Sequence, residues 1–170
     1  MTPGPESRAP DLLWDDVKWC FEPDGSLPDV VVPGTSVADW QAVLDLVVAS
    51  GWTYEYAEGD TVLPLPRAET VHARPADAEC PVLQVRPVHG LLAIFRFYSD
   101  EEIDFDVDPR ELQGQDRLDV FCAFLRSVGR RLGKQVLMYP EGGRGKCPPL
   151  VGFDVEADRV VLFDERSSHP

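Results

Sequence analysis

Along residues 116–132, apolar side chains return every three or four positions: Leu118, Phe121, Cys122, Leu125, Val128 and Leu132. That spacing lines one face of an α-helix. Arg126, Arg130 and Arg131 crowd its last turns, where cations suit the helix dipole, and Gly133 ends it. A second helix is expected after Ser36, whose spacing from Asp39 resembles a capping box with Asp in place of Glu. Val37, Trp40, Val43, Leu44, Val47 and Val48 follow at helical spacing, and Gly51 supplies the stop.

Elsewhere the period is two. Val17, Trp19 and Phe21 alternate with Asp16, Lys18 and Cys20, which predicts a half-buried strand over 13–21. Turn residues at 22–26 and a strand at 29–32 would complete a hairpin. Further strands are predicted at 52–57, 81–88, 91–98, 102–107, 135–139, 150–155 and 159–163. The three between 81 and 107 form an antiparallel meander, and the last two a hairpin across 156–158. Residues 108–111 read as a helix start, with Asp108 as cap and Pro109 at the first position. Pro64, Pro66 and Pro75 make 58–80 a long loop with at most one short strand. The expected fold is α+β: a mostly antiparallel β-sheet with two main helices packed on one face. A single domain over 12–165 would carry a disordered tail at 1–11 and a C-terminal tail at 166–170.

Composition adds charge to this picture. The chain of 170 residues carries a formal net charge of −14, with thirteen Arg against three Lys, a bias common in GC-rich genomes. Such a chain repels nucleic acid and anionic lipid, and attracts basic partners over a Debye length of about 8–10 Å. Residues 1–10 have no apolar h-region, and no run reaches the ~18 apolar residues of a membrane span. Cys20, Cys80, Cys122 and Cys147 lie far apart without a CxxC pair, and only three histidines are present. The expectation is a cytoplasmic, reduced protein with no metal or cofactor.

Motifs that carry chemistry fail on their context. Residues 140–147 end in Gly145 and Lys146 like a phosphate loop, but Pro140 replaces its first Gly and Cys147 its hydroxyl. Pro148 and Pro149 also block the helix that such a loop must open, so a flexible basic loop is expected. Asp104, Asp106 and Asp108 resemble the opening of a calcium loop, but Pro109 and Gln115 occupy its sixth and twelfth positions. Ile103, Phe105 and Val107 alternate with these acids, which makes the segment a strand with an acidic outer face. His72 and His89 neighbour no nucleophile motif, and no G-x-S-x-G or H-E-x-x-H occurs.

The acidic strip admits two readings. Glu102, Asp104 and Asp106 project from one side of one strand about 6.6 Å apart, although Asp is a poor strand former and like charges repel. Either Arg86 and Arg96 on neighbouring strands neutralise them, or they form a recognition strip for a basic protein together with Asp100. The stretch 102–112 (EIDFDVDPREL), followed by 118–125 (LDVFCAFL) and 129–137 (GRRLGKQVL), resembles small acidic proteins of actinobacteria. Several of those resemble immunity proteins of polymorphic toxin systems. The resemblance covers about residues 90–165 and rests on structural motifs. It implies a stoichiometric inhibitor that occludes a toxin and has no chemistry of its own. The expected function is therefore a non-enzymatic acidic module for a basic protein partner. The alternative is a small-molecule-binding protein or enzyme that uses the polar sheet face and the 140–149 loop.

Overall fold

A computed structural model describes residues 9–163. The first difference from expectation comes at 13–21, which is helical rather than extended. The helix α1 (Trp14–Val17) runs into a 3₁₀ turn, Lys18–Phe21. Val17, Cys20 and Phe21 are the buried positions, a spacing of three and four. Cys20 behaves as a small hydrophobe, and counting it as polar creates the apparent alternation. The predicted hairpin is therefore absent. β1 (Asp29–Pro33) instead sits inside the sheet, between strands from much later in the chain.

The helix α2 (Val37–Ala49) follows, then β2 (Thr53–Glu58), β3 (Thr61–Leu63), the short α3 (Ala68–His72), β4 (Val82–Val88), β5 (Leu91–Arg96) and β6 (Glu102–Asp106). The helix α4 (Gln115–Leu132), β7 (Val136–Tyr139), β8 (Val151–Asp154) and β9 (Arg159–Leu162) complete the described chain. All nine strands form one sheet in the order β3-β2-β4-β5-β6-β1-β7-β8-β9. Every neighbouring pair is antiparallel. The α+β class with a mostly antiparallel sheet is thus as expected, and the described helices include more than two elements.

Local chemistry accounts for the element ends. Ser36 Oγ accepts from the Asp39 backbone N–H at 3.3 Å, and the Asp39 carboxylate accepts from the Ser36 N–H at 3.1 Å, which closes the capping box. Gly133, with φ of 65°, ends α4 in the left-handed conformation. The helix expected from Asp108 shrinks to a single 3₁₀ turn, Pro109–Glu111, because Gly114 at φ 97° breaks the chain before α4. The segment 58–80 holds α3 in addition to β3; its first N–H donates to Gln41 Oε1 of α2 at 2.8 Å, a tertiary cap.

The core is aromatic. Trp40 of α2 stacks on Phe97 at 4.4 Å and meets Phe95 edge-on at 6.5 Å. Phe124 of α4 meets Phe95, Phe105 and Trp52. Phe21, from the 3₁₀ turn, stacks near Trp14 and packs edge-on against Phe121. The N-terminal segment is held by polar contacts as well. The Asp11 side chain is buried, pairs with Arg126 at 2.9 Å and accepts from the Val160 N–H at 2.8 Å. Among the described residues no helix is long and apolar enough to cross a membrane.

Candidate functional site

Alternation along β6 places Ile103 and Phe105 in the core and turns Glu102, Asp104 and Asp106 to the opposite face. Insertion of β1 beside β6 puts Asp29 directly across from Asp106 and Val31 across from Asp104. On the other side Arg96 lies across from Asp104, and its guanidinium pairs with Asp106. Four carboxylates from two strands therefore converge on one patch. Burial raises Asp29 above the usual carboxylate range, reinforced by its hydrogen bond to Asp106 and offset by the Gly142 N–H.

The loop 140–149 reaches the same patch. Its Arg144 pairs with Glu102, and Gly142 donates its N–H to Asp29. This corrects the expectation of a free basic loop: the acidic face ties it down. Cys147, whose thiol contacts the Gly143 carbonyl oxygen at 3.3 Å, belongs to the inner side of that loop. Neutralisation of the strip is thus real but partial. Arg96 serves Asp106 and Arg144 serves Glu102, whereas Arg86, the other expected cation, lies two strands away in β4 and makes no ion pair among the described residues.

Asp104 is the exception. It receives no hydrogen bond and pairs with no cation within 4 Å among the described residues, although it sits at the centre of the four acids. Burial first, then the charges of Asp106, Glu102 and Asp29, push its carboxyl up to about 6, while Arg96 opposes. The patch gathers Asp29, Glu102, Asp104 and Asp106 with two guanidinium groups at its edges. It presents negative charge on a sheet surface rather than a nucleophile beside a base.

Asp100 does not join this patch. It lies exposed in the turn between β5 and β6, where its carbonyl oxygen accepts from Thr35 Oγ1 at 2.8 Å. There it faces a cleft lined by His72 and Phe97. His72 packs its ring on Trp40 at 5.3 Å and Phe97 at 5.8 Å. His89 sits in the β4–β5 turn, where its carbonyl oxygen accepts from Arg117. All four cysteines are free thiols, and burial pushes Cys122 up to about 12. Among the described residues no group of three or more His, Cys, Asp and Glu side chains is arranged to hold a metal ion.

Asp29, Gly142 and Arg144 are the site residues that sequence reading misses. Asp29 opens a predicted strand, but nothing local says that this strand pairs with β6. Compared with family models, curated proteins and solved structures, the chain finds no match.

Proposed function

We propose that this protein is a non-enzymatic, acidic protein-binding module that holds a basic partner on the open face of its sheet. In this reading α2 and α4 form the covering layer on one face, and the opposite face around β6 and β1 is the docking surface. The observation that supports it is Asp104, a half-buried carboxylate among three others with no cation of its own. Such a group weakens the fold, and among the described residues no cation pairs with it, so a cation of a partner would be its match. Arg144 and Arg96 mark the positions where guanidinium groups already suit this surface.

The partner class follows from charge. A net charge of −14 accelerates encounter with a basic protein and disfavours nucleic acid. An inhibitor of the immunity type, which covers a basic toxin or effector in the cytoplasm and performs no reaction itself, fits both the charge and the resemblance of residues 90–165. The partner is identified by capture from the native host. Its association with wild type and Asp104→Asn is then followed by stopped flow at two ionic strengths. The substitution breaks no ion pair, so the fold persists. We expect a roughly two- to fivefold slower on-rate and a flatter salt dependence, because steering acts on encounter more than on residence. Unchanged kinetics at both ionic strengths would overturn the sheet-face reading.

A further inference from the structure

The two edges of the sheet are finished differently. At β9 the chain covers its own edge: the Asp11 carboxylate accepts from the Val160 N–H at 2.8 Å, and Arg159 donates to the Asp11 carbonyl oxygen. At the other edge β3 is three residues long and pairs with β2 only from Tyr56 to Glu58. Thr53, Tyr54 and Glu55 therefore have β4 on one side and no strand on the other among the described residues. Glu58 and Thr61 close a two-residue turn, and hydrogen-bonded pairs alternate along the ladder. Tyr54, like Tyr56 and Glu58, thus points its N–H and C=O away from β4. Exposed edges are ordinarily blunted by Pro, Lys or a bulge. Pro64 and Pro66 do this for the chain after Leu63, but 53–55 carries no such device.

Beyond Leu63 the chain leaves the sheet and crosses to the first half of α2, where the Ala68 N–H meets Gln41 Oε1. The second half of α2 is left facing the open edge across a groove of about 610 Å³, lined by Leu44, Asp45, Val48, Tyr54, Leu63 and Leu65. Val48, Tyr54, Val62 and Leu63 are four of the eight large apolar side chains exposed among the described residues, so apolar exposure is concentrated here.

The open backbone decides the form of the occupant, because only an extended chain can pair along a strand edge. A residue across from Tyr54 turns its side chain to the same face, toward Val48, and its neighbours turn to the face that carries Glu55. Asp45 and Glu55 form no ion pair within 4 Å among the described residues, and Arg67 is the one cation of the lining. A basic segment matches that balance, whereas a second copy of the chain would bring another −14 to this edge.

We propose that the 53–55 edge of β2 binds an extended segment of a partner protein as a tenth strand, with an apolar side chain over Val48 and Tyr54 and a Lys or Arg beside Glu55. This surface is separate from the acidic patch on β6 and does not depend on it.

The test titrates the full chain with N-acetyl-Lys-Val-Thr-Val-Lys-amide and follows amide chemical shifts and hydrogen exchange by NMR. The control is the same peptide N-methylated at both valines, which keeps the side chains and charges and removes the pairing N–H groups. We expect saturable shifts at residues 44–48, 53–56 and 62–65, with slower exchange of the Tyr54 amide, and none of this with the control. Val48→Arg lies at a 53 % exposed position of α2, so the fold persists; it should weaken binding about tenfold through lost apolar contact and repulsion. Glu55→Gln should weaken it about twofold, as exposed charge pairs do. Absence of saturable shifts, equal shifts with the methylated control, shifts confined to 102–106, or full affinity in a natively folded Val48→Arg would each overturn the proposal. So would concentration-dependent self-association in sedimentation that Val48→Arg abolishes, which would assign the edge to a second copy. None of these readouts measures the partner kinetics above, so the two ideas fail separately.

Discussion

On one side of β6, Ile103 and Phe105 are fully buried, and on the other Glu102, Asp104 and Asp106 are half-buried carboxylates, although the five residues share one backbone. The inward pair is explained by folding. Each ring or branched chain removed from water contributes about 1.5–3 kcal/mol, and Phe105 adds ring contacts to Phe95 at 4.7 Å and Phe124 at 5.4 Å. The outward set is not explained that way. Glu102 and Asp106 have cations, but for Asp104 burial and the neighbouring carboxylates outweigh the pull of Arg96. One strand thus carries one face shaped by stability and one face whose chemistry stability alone would not select. Its two sides should respond to substitution in opposite directions.

The largest effect belongs to the covered side. Phe105→Ala removes a fully buried ring that touches both a neighbouring strand and α4, and should cost about 3–5 kcal/mol in urea denaturation. A cost below about 1 kcal/mol would erase the contrast between the two faces. A second substitution sharpens it where α4 meets β8. Gly129 lies buried in α4, and a Cβ there would run into the ring of Phe153. At an exposed helical position Gly→Ala gains up to about 1 kcal/mol. Here the sign should reverse, with Gly129→Ala losing about 1–3 kcal/mol from overpacking. A gain in the same denaturation experiment would mean that Phe153 moves aside at little cost.

The contrast between the faces was legible in the sequence because alternation is a local property. Which residues turn inward along β6, and where α2 and α4 begin and end, follow from period and caps within one element. What failed depends on partners remote in sequence. The strip's cations were expected from neighbouring strands. Arg96 fits, but Arg86 is two strands away, and the second cation is Arg144, delivered by a loop that local reading left free. Asp29 joins the patch only because β1 inserts between β6 and β7. Phe124 lies beside the expected stripe of α4 and is buried because Phe95 of β5, Phe105 of β6 and Trp52, just before β2, reach it. Asp100 was grouped with the strip by proximity in sequence, but the turn carries it to the His72 cleft. The misread strand at 13–21 is different in kind: both periods were present there, and the choice hung on treating Cys20 as polar.

The smallest predicted effect tests the open side directly. Asp104 has its carboxyl raised from an ordinary 3.8 to about 6 in the folded protein. Between those values the folded state binds more protons than the unfolded state, so stability falls as the pH rises through this window. The penalty is absent below the lower value, fully developed above the upper one, and constant beyond. In a dry site a carboxyl raised this far would cost about 3 kcal/mol. At a half-buried position solvent screening leaves about 1 kcal/mol. Asp104→Asn removes the charge without breaking a hydrogen bond or an ion pair. It should therefore stabilise the protein by about 1 kcal/mol at pH 7.5, where the native carboxylate is ionised, and by close to nothing at pH 3.5. Denaturant midpoints of both proteins at the two pH values decide the matter. A variant that is less stable than wild type at pH 7.5 would show that Arg96 compensates Asp104 as well as Asp106. The outward face of β6 would then be as well explained by folding as the inward one.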